Sequence, residues 1–258
     1  MKIFNQFFAV FEAELRSYLR EVGPLAFIAV TPIMFSTLTY SIGGVLTGGK
    51  AEVETWFYQL IGFSFMTISI VMTNSAAWYF RRGMMSGRLE YSMVSPVNPV
   101  IFVSANSLAN VLASLLALVF AGIFGTVVVY GLSKISNFLA ALLITFFALL
   151  PVVGVNLIVG TLTIALKEPE PVANSIASVI AATSGFVYPI TLLPHVMQII
   201  GQLLPYHHMT ETARTAIAAT VSPGQIAVLM LMMLYLFAGL SLYRYGENTY
   251  ARKKGISW

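Results

Sequence analysis

Cysteine and aspartate are absent from this chain of 258 residues, and histidine occurs three times. The lack of cysteine excludes disulfides, thiolate metal sites and cysteine nucleophiles, and three histidines leave little for a catalytic metal centre. Charge is also scarce, because 9% of the residues are charged whereas 58% are hydrophobic. In an ordinary soluble domain about a quarter of the residues are charged. The composition therefore excludes a soluble enzyme and indicates a multi-spanning membrane protein.

Six uncharged runs divide the chain, and each is long enough to cross the bilayer. A membrane-spanning helix needs about 20 apolar residues to cross about 30 Å of hydrocarbon. Prolines shorten the two longest runs, because a proline does not continue a straight helix. We therefore predict an all-α integral membrane protein, one transmembrane domain over residues 1–258. Its six spans are predicted near 24–46, 56–80, 101–130, 138–165, 172–192 and 224–243.

The basic residues indicate the orientation, since lysine and arginine in short loops are retained on the cytoplasmic side. If both termini are cytoplasmic, all but three of the 14 lysines and arginines lie inside. The three outside are Lys50, Lys134 and Arg214. The net charge of +4 then reflects topology and attraction to anionic lipid, and it gives no support for binding to nucleic acid.

The first 21 residues predict an amphipathic helix. Phe4, Phe7, Phe8 and Phe11 share one face at helical spacing, with glutamate and arginine elsewhere on the wheel. Charges within the segment exclude a secretory signal peptide. We interpret residues 1–21 as an interfacial helix on the cytoplasmic surface, and the alternative is an ordinary amphipathic helix that packs on other protein.

One pattern imitates a phosphate-binding loop. Residues 44–50 fit G-x-x-x-x-G-K, but the next residue is Ala51, which has no hydroxyl for Mg²⁺. The segment also follows a predicted membrane helix and faces outside. We interpret it as an external glycine-rich turn, so the chain shows no means of hydrolysing ATP.

The predicted cytoplasmic loop 81–98 combines charges, glycines and an amphipathic stretch that ends at Ser95-Pro96. A short surface helix of this kind rests on lipid or docks into a partner. The run Gly87-Arg88-Leu89-Glu90 with Ser95-Pro96 resembles the G-x-L-E…[ST]-P stretch of type-2 ABC transporter permeases, whose loop at this place contacts the ATPase subunit. The residues that the resemblance assigns to ATPase coupling are Arg81, Arg82, Gly87, Arg88, Leu89, Glu90 and Pro96.

The fifth run contains three prolines within 17 residues, Pro189, Pro194 and Pro205, which one helix cannot accommodate. We predict short helices over 193–222 that re-enter the membrane from outside, shielded by protein or water. This segment is similar to the S-G…P…P…P…R pattern of the same permease family. The resemblance implies an external gate formed by Pro189, Pro194, Pro205 and Arg214.

Other polar residues invite weaker interpretations. His207, His208 and Glu211 lie within one helical turn of each other, but they form no complete ligand set, and we predict no metal site. Glu211 and Arg214 are spaced as a surface ion pair. For the asparagines within the spans, hydrogen bonding between helices is favoured over lining a substrate route. These asparagines are Asn74, Asn106, Asn110, Asn156 and Asn174.

Three classes of function compete: an ABC exporter permease, a secondary transporter or channel not driven by ATP, and a membrane-embedded enzyme. The predicted span cores lack the ionisable residues that proton relays and enzymes need, and we predict no catalytic residue. The resemblance implies a permease of the prokaryotic inner membrane that moves an amphipathic or lipophilic cargo outward, such as a drug, lipid or lipid-linked glycan. It also implies a second permease copy, identical or closely related, and a separate ATPase subunit that binds ATP and Mg²⁺.

Overall fold

The structure is a computed structural model that describes residues 2–49, 52–85, 99–166, 169–246 and 248–249. Within these ranges the chain forms ten α-helices and two short 3-10 turns, and it forms no strand. The helices are α1 (Lys2–Arg20), α2 (Val22–Leu46), α3 (Val53–Met85), α4 (Pro99–Tyr130), α5 (Ile135–Leu166), α6 (Pro169–Thr183), α7 (His195–Leu203), α8 (Pro205–Ile217), α9 (Pro223–Met232) and α10 (Leu234–Gly246).

Helix α3 lies at the centre of the bundle and packs against α2, α4, α5, α6 and α8. A turn at residues 47–49 follows α2 and leads towards α3, and the 3-10 turn Gly131–Lys134 joins α4 to α5. Both connections lie at the same end of the bundle. We call this the turn end. The opposite end carries α1 and the last turns of α3, and we call it the α1 end.

Four apolar helical stretches are long enough to cross a membrane: Leu25–Leu46, Val53–Ser75, Ile101–Thr163 and Pro223–Gly246. The third contains α4 and α5, each 32 residues or about 48 Å long. The fourth contains α9 and α10, which are separated at Met233. The structure therefore confirms an all-helical fold with several helices able to span the bilayer, and five of the predicted spans coincide with these helices.

The helix predicted near 172–192 differs from the prediction at both ends. Helix α6 begins at Pro169 and ends at Thr183, and its 15 residues extend about 22 Å, which is less than the bilayer core. The chain then continues without regular helix until the 3-10 turn Ile190–Leu192. Gly185 has a φ of +67°, a left-handed conformation that ends a right-handed helix. Sequence analysis placed this break later, at the prolines, although the chain leaves the helix several residues before Pro189.

Helix α1 is separated from α2 by a single residue, Glu21. Pro24 has no N–H to donate to the carbonyl of Arg20, which is where α1 ends. One side of α1 packs against α4, whereas Phe4 and Phe8 remain exposed, with ring centroids 4.6 Å apart. The helix thus has a protein-facing side and an exposed aromatic side, and its place at a lipid interface stays a prediction.

A buried polar cluster joins α3, α4 and α5. The side-chain amide of Asn156 donates to the hydroxyl oxygens of Ser75, at 2.8 Å, and of Ser107. The amide of Asn106 lies 3.5 Å from the backbone oxygen of Ser75. All four residues are buried. The hydrogen bonding between helices that the sequence predicts for asparagines is therefore present at Asn156 and Asn106.

The remaining asparagines of the spans behave differently. Asn74 and Asn110 donate to carbonyl groups one turn earlier in their own helices, and Asn174 is exposed. At these three positions, the described contacts give no hydrogen bond from the side-chain amide to another helix.

The structure predicts that Asn156→Ala lowers the free energy of unfolding by about 1–2 kcal/mol, because it removes both bonds to neighbouring helices. Asn74→Ala is the matched control, since that asparagine is also buried but bonds within α3. Thermal unfolding of the detergent-solubilised protein measures both variants. Equal losses in the two variants would contradict a special role for the cluster.

Candidate functional site

The candidate site lies at the turn end, where α6 stops and the backbone is irregular. Carbonyl groups of Ser184, Gly185 and Phe186 follow the last turn of α6 and lack the partners that a continuing helix would supply. Unpaired backbone groups inside a membrane protein cost several kcal/mol each. Side chains of α8 supply the missing donors.

Arg214 of α8 is the main donor. Its Nη1 donates to the carbonyl of Gly185 at 3.1 Å, and its Nη2 donates to the carbonyls of Phe186 and, at 3.1 Å, of Tyr58 in α3. Its Cζ lies 3.5 Å from the centroid of the Tyr58 ring, a cation–π geometry. One guanidinium therefore joins α8, the end of α6 and α3.

The ion pair predicted between Glu211 and Arg214 is present, but the arginine is buried and does not lie at the surface. The arginine side chain is 9% exposed, and Nη1 lies 3.9 Å from a carboxylate oxygen of Glu211, farther than it lies from the carbonyl of Gly185. Burial lowers the pKa of Arg214 to about 10, and nearby Tyr58 and Glu211 oppose that shift. The side chain remains a cation at neutral pH, and backbone carbonyls provide its closest contacts.

A glycine in α3 makes this arrangement possible. A Cβ on Gly62 would overlap the carbonyl oxygen of Phe186 and also crowd Arg214. The irregular backbone after α6 can therefore reach α3 because residue 62 has no side chain. Gly62 and Tyr58 were not predicted as site residues, and His207 was considered only as a possible metal ligand. For Gly62 the available signal was a glycine within a long apolar helix.

Two further side chains of α8 contact the backbone after α6 and helix α3. Nδ1 of His207 lies 3.3 Å from the carbonyl oxygen of Ser184. The hydroxyl of buried Tyr206 lies 3.2 Å from that of Thr73 in α3, and burial raises the pKa of this tyrosine. In the ranges that the structure describes, no group of three His, Cys, Asp or Glu side chains is placed to hold a metal.

The prolines predicted for the gate have separate positions. Pro189 and Pro194 are exposed and directly precede the 3-10 turn Ile190–Leu192 and α7. Pro205 is buried and is the first residue of α8, a position where proline is favoured because no N–H is needed. The prolines thus divide the segment into short helices, whereas Arg214 holds it against α3.

Beside this contact lies a cavity of about 500 Å³, which we call the vestibule. Charges of both signs reach it, and aromatic rings form part of its wall. It can therefore receive a polar group of an amphipathic molecule. Its main polar and aromatic residues are Glu54, Tyr58, Tyr130, Lys134, Arg214 and Thr220.

The residues predicted for ATPase coupling are described only in part. Arg81, near the end of α3, forms an ion pair with Glu170 in the first turn of α6. Arg82 belongs to α3. The predicted residues Gly87, Arg88, Leu89, Glu90 and Pro96 lie outside the described residues.

Comparison with known proteins assigns the family. A family model described as "ABC-2 type transporter" matches residues 5–218, from α1 to the end of α8. The chain belongs to the ABC-2 type transporter family. It is also 22% identical over 241 residues to the putative transport permease YvfS of Bacillus subtilis (strain 168), and the match covers 90% of this chain and 93% of that protein.

Membership of the ABC-2 family gives the chain its general role. It is the membrane permease component of an ABC transporter, a multi-pass membrane protein that is not itself catalytic. The candidate functional features of this permease at the turn end are the irregular segment after α6 and the vestibule.

We expect Arg214→Gln to destabilise the permease by at least about 1.5–3 kcal/mol, the range for one hydrogen bond to a charged group. The amide has fewer donors than the guanidinium, so it leaves at least one of the three carbonyls unpaired. Arg244→Gln is the control, because Arg244 is exposed at the other end of the bundle. Thermal unfolding in detergent compares the two variants. If Arg214→Gln unfolds at the temperature of the control, the guanidinium does not hold the segment.

His207 predicts a dependence of stability on pH. Burial, and next the neighbouring His208, lower the pKa of His207 below its ordinary value of 6.5. The folded protein therefore binds this proton less readily than the unfolded chain. The contribution of neutral His207 to the free energy of unfolding is complete above pH 6.5 and is lost as the pH falls below that value.

His207→Gln retains a donor for the carbonyl of Ser184 and does not titrate. We expect the melting temperature of the unmodified protein to fall more between pH 7 and pH 5 (roughly the range in which histidine titrates) than that of His207→Gln. His208→Gln serves as the comparison. Identical pH profiles for the unmodified protein and His207→Gln would contradict the prediction.

Proposed function

We propose that this permease is the membrane-spanning subunit of an ATP-driven exporter that moves an amphipathic or lipophilic cargo outward. The observation that carries the proposal is the family match, which extends from the amphipathic α1 to Arg214 in α8. That range includes both segments that resemble the family in sequence, residues 87–96 and the proline-containing segment that ends at Arg214. The proposed compartment is a prokaryotic inner membrane, with both termini on the cytoplasmic side.

The proposed surface for the ATPase is the α1 end. Helix α3 ends and α4 begins there, on either side of residues 86–98, which carry Glu90. The Arg81–Glu170 ion pair places the first turn of α6 at the same end. In this proposal the partner subunit binds ATP and Mg²⁺, and its closure acts on residues 86–98 and on α1.

A second permease copy, identical or closely related, is the proposed partner within the membrane. In the most apolar parts of α2 and of α9–α10, only 11% and 17% of the residues are buried within one chain. Faces of this size need lipid or another subunit to cover them. Two copies side by side would cover part of these faces and create a route between subunits for the cargo.

The turn end is the proposed external side, and the segment from Pro189 to Arg214 is the proposed external gate. The irregular backbone that leads into it, at residues 184–186, is paired by side chains of α8, so this part of the chain can lie within the membrane without exposing those carbonyls to lipid. A change in the spacing of the two subunits would then open or close the vestibule.

Secondary transport remains the second candidate, and the position of the charges argues against it. Coupling to protons or ions normally uses ionisable side chains at the depth of the membrane. The charges in the four described apolar stretches are Glu54, Lys134 and Arg244, and they lie near helix ends or in the α4–α5 turn. The buried Arg214 of the proposed gate is bound by three backbone carbonyls.

The export proposal predicts that the permease co-purifies with an ATPase and that Glu90→Lys weakens this association or uncouples hydrolysis from transport. Membrane insertion should be unchanged. Glu52→Lys is the matched control, because it reverses an exposed carboxylate in the loop at the opposite end. ATPase activity in reconstituted vesicles measures the effect. Unchanged association and coupling in Glu90→Lys would contradict the role of Glu90, and the absence of any ATPase partner would favour secondary transport.

The orientation predicts which positions a membrane-impermeant maleimide can label in intact cells. The unmodified chain has no cysteine, so single-cysteine variants give an unambiguous signal. Exposed Val196 of α7, as Val196→Cys, should be labelled from outside, whereas Ser17→Cys in α1 should react only after the cells are opened. Labelling of Val196→Cys only from the cytoplasmic side would overturn the external gate.

A further inference from the structure

A second cavity of about 500 Å³ lies between the α1–α2 junction, α3 and α4. We call it the α1-end pocket. Its wall is mostly apolar, with Leu25 and Ile28 from α2, Ile70 and Val71 from α3, and Ala113 from α4. It extends from residue 21 to residue 31 along α2, about 15 Å at the rise of an α-helix. That length is about half of the hydrocarbon core, the depth of one leaflet.

A hydroxyl group in the wall of the pocket lacks a partner. Thr31 and Thr67 also line it, and each donates to a carbonyl one turn earlier, Phe27 at 2.6 Å and Phe63 at 2.8 Å. Ser114 is completely buried, and its Oγ has no hydrogen-bond partner among the described residues. A buried hydroxyl without a partner costs about 1–3 kcal/mol, so this position favours a ligand that offers a polar atom.

The lining of the pocket includes one carboxylate and one indole ring. Among the described residues that line it, Glu21 is the one with a formal charge. Its side chain does not cap α2, and no ion pair to it is found in the described part of the chain. Trp78 of α3 also lines the pocket and is 36% exposed. A carboxylate with an indole ring attracts an organic cation through Coulomb and cation–π interactions.

We propose that the α1-end pocket binds an amphipathic organic cation from the adjacent leaflet. Its ammonium group lies at Glu21 and Trp78, its hydrocarbon part extends along α2 and α3, and a polar atom of the molecule pairs with Ser114. If the pocket is the route by which cargo enters the permease, its role rests on the proposed export function. The pocket would then narrow the cargo to lipophilic cations. The binding itself requires no ATPase.

Quenching of Trp78 fluorescence tests the binding. The variant Trp56→Phe/Trp258→Phe keeps Trp78 as the single tryptophan, and Trp78→Phe/Trp258→Phe keeps Trp56 at the turn end as a control. The proteins are reconstituted in phosphatidylcholine vesicles, and bromododecyl-trimethylammonium is added as the quenching probe. We expect saturable quenching of Trp78 and only weak, non-saturable quenching of Trp56. Equal, non-saturable quenching of both would overturn the proposal.

Variants in the single-tryptophan background identify the groups that bind. Glu21→Gln should weaken the apparent affinity at least about fivefold, because the carboxylate that attracts the quaternary ammonium is removed. Ser114→Ala should leave the affinity for this probe unchanged, because its alkyl chain offers the hydroxyl no polar atom. Without probe, Ser114→Ala should not lower the melting temperature, because it removes an unpaired buried group. Glu12→Gln, whose carboxylate pairs with Arg16 outside the pocket, should leave the affinity unchanged.

The anionic probe bromododecyl sulfate tests the selectivity for charge. Equal affinity for both probes, or full affinity in Glu21→Gln, would show a general site for acyl chains and overturn the proposal. Vesicles that also contain the ATPase distinguish the binding of the cation in the pocket from its export. Saturable binding without ATP-dependent export of the cation would refute export and leave the pocket. Export unaffected by Glu21→Gln would support export and refute the pocket.

Discussion

The position of one buried guanidinium determines how this membrane bundle can contain a broken helix. Helix α6 is too short to cross the bilayer, and the backbone beyond it would expose unpaired carbonyls. Arg214 pairs with two of these carbonyls and also with that of Tyr58, so the irregular segment is attached to the central helix α3. The absence of a side chain at Gly62 provides the space for that contact.

The same two helices, α3 and α6, are also joined at the opposite end. Arg81 and Glu170 form an ion pair near the end of α3 and the beginning of α6. An exposed pair of this kind adds little stability by itself, about 0–1 kcal/mol. Its significance is geometric, because contacts at both ends make α3 and α6 a single unit between the α1 end and the vestibule. In the proposed mechanism, a force applied at the α1 end would reach the segment after α6 through this unit.

Much of the helical architecture could be predicted from the sequence, because apolar runs and their flanking charges require only composition and periodicity. The roles of Arg214 and Gly62 could not be predicted. The sequence shows an arginine three residues after a glutamate, which favours a surface pair, whereas the competing acceptors are carbonyls 28 to 156 residues away. Likewise, Gly62 is one of 19 glycines, and nothing local distinguishes it from glycines that merely interrupt a helix. Such long-range pairs depend on tertiary packing.

Helix α2 is attached to the bundle unequally along its length. In its second half, Thr39 bonds to Gln59 at 2.8 Å, and the indole of Trp56 donates to Thr37 at 3.2 Å. Its first half borders the α1-end pocket and buries little surface. Pro32 separates the two halves and removes one helical hydrogen bond, which weakens the helix at that position. Two side-chain hydrogen bonds thus join the second half of α2 to α3, whereas the described residues of the first half make no side-chain hydrogen bond to α3. That asymmetry leaves the α1-end pocket beside the half of α2 that has fewer side-chain bonds to the central helix.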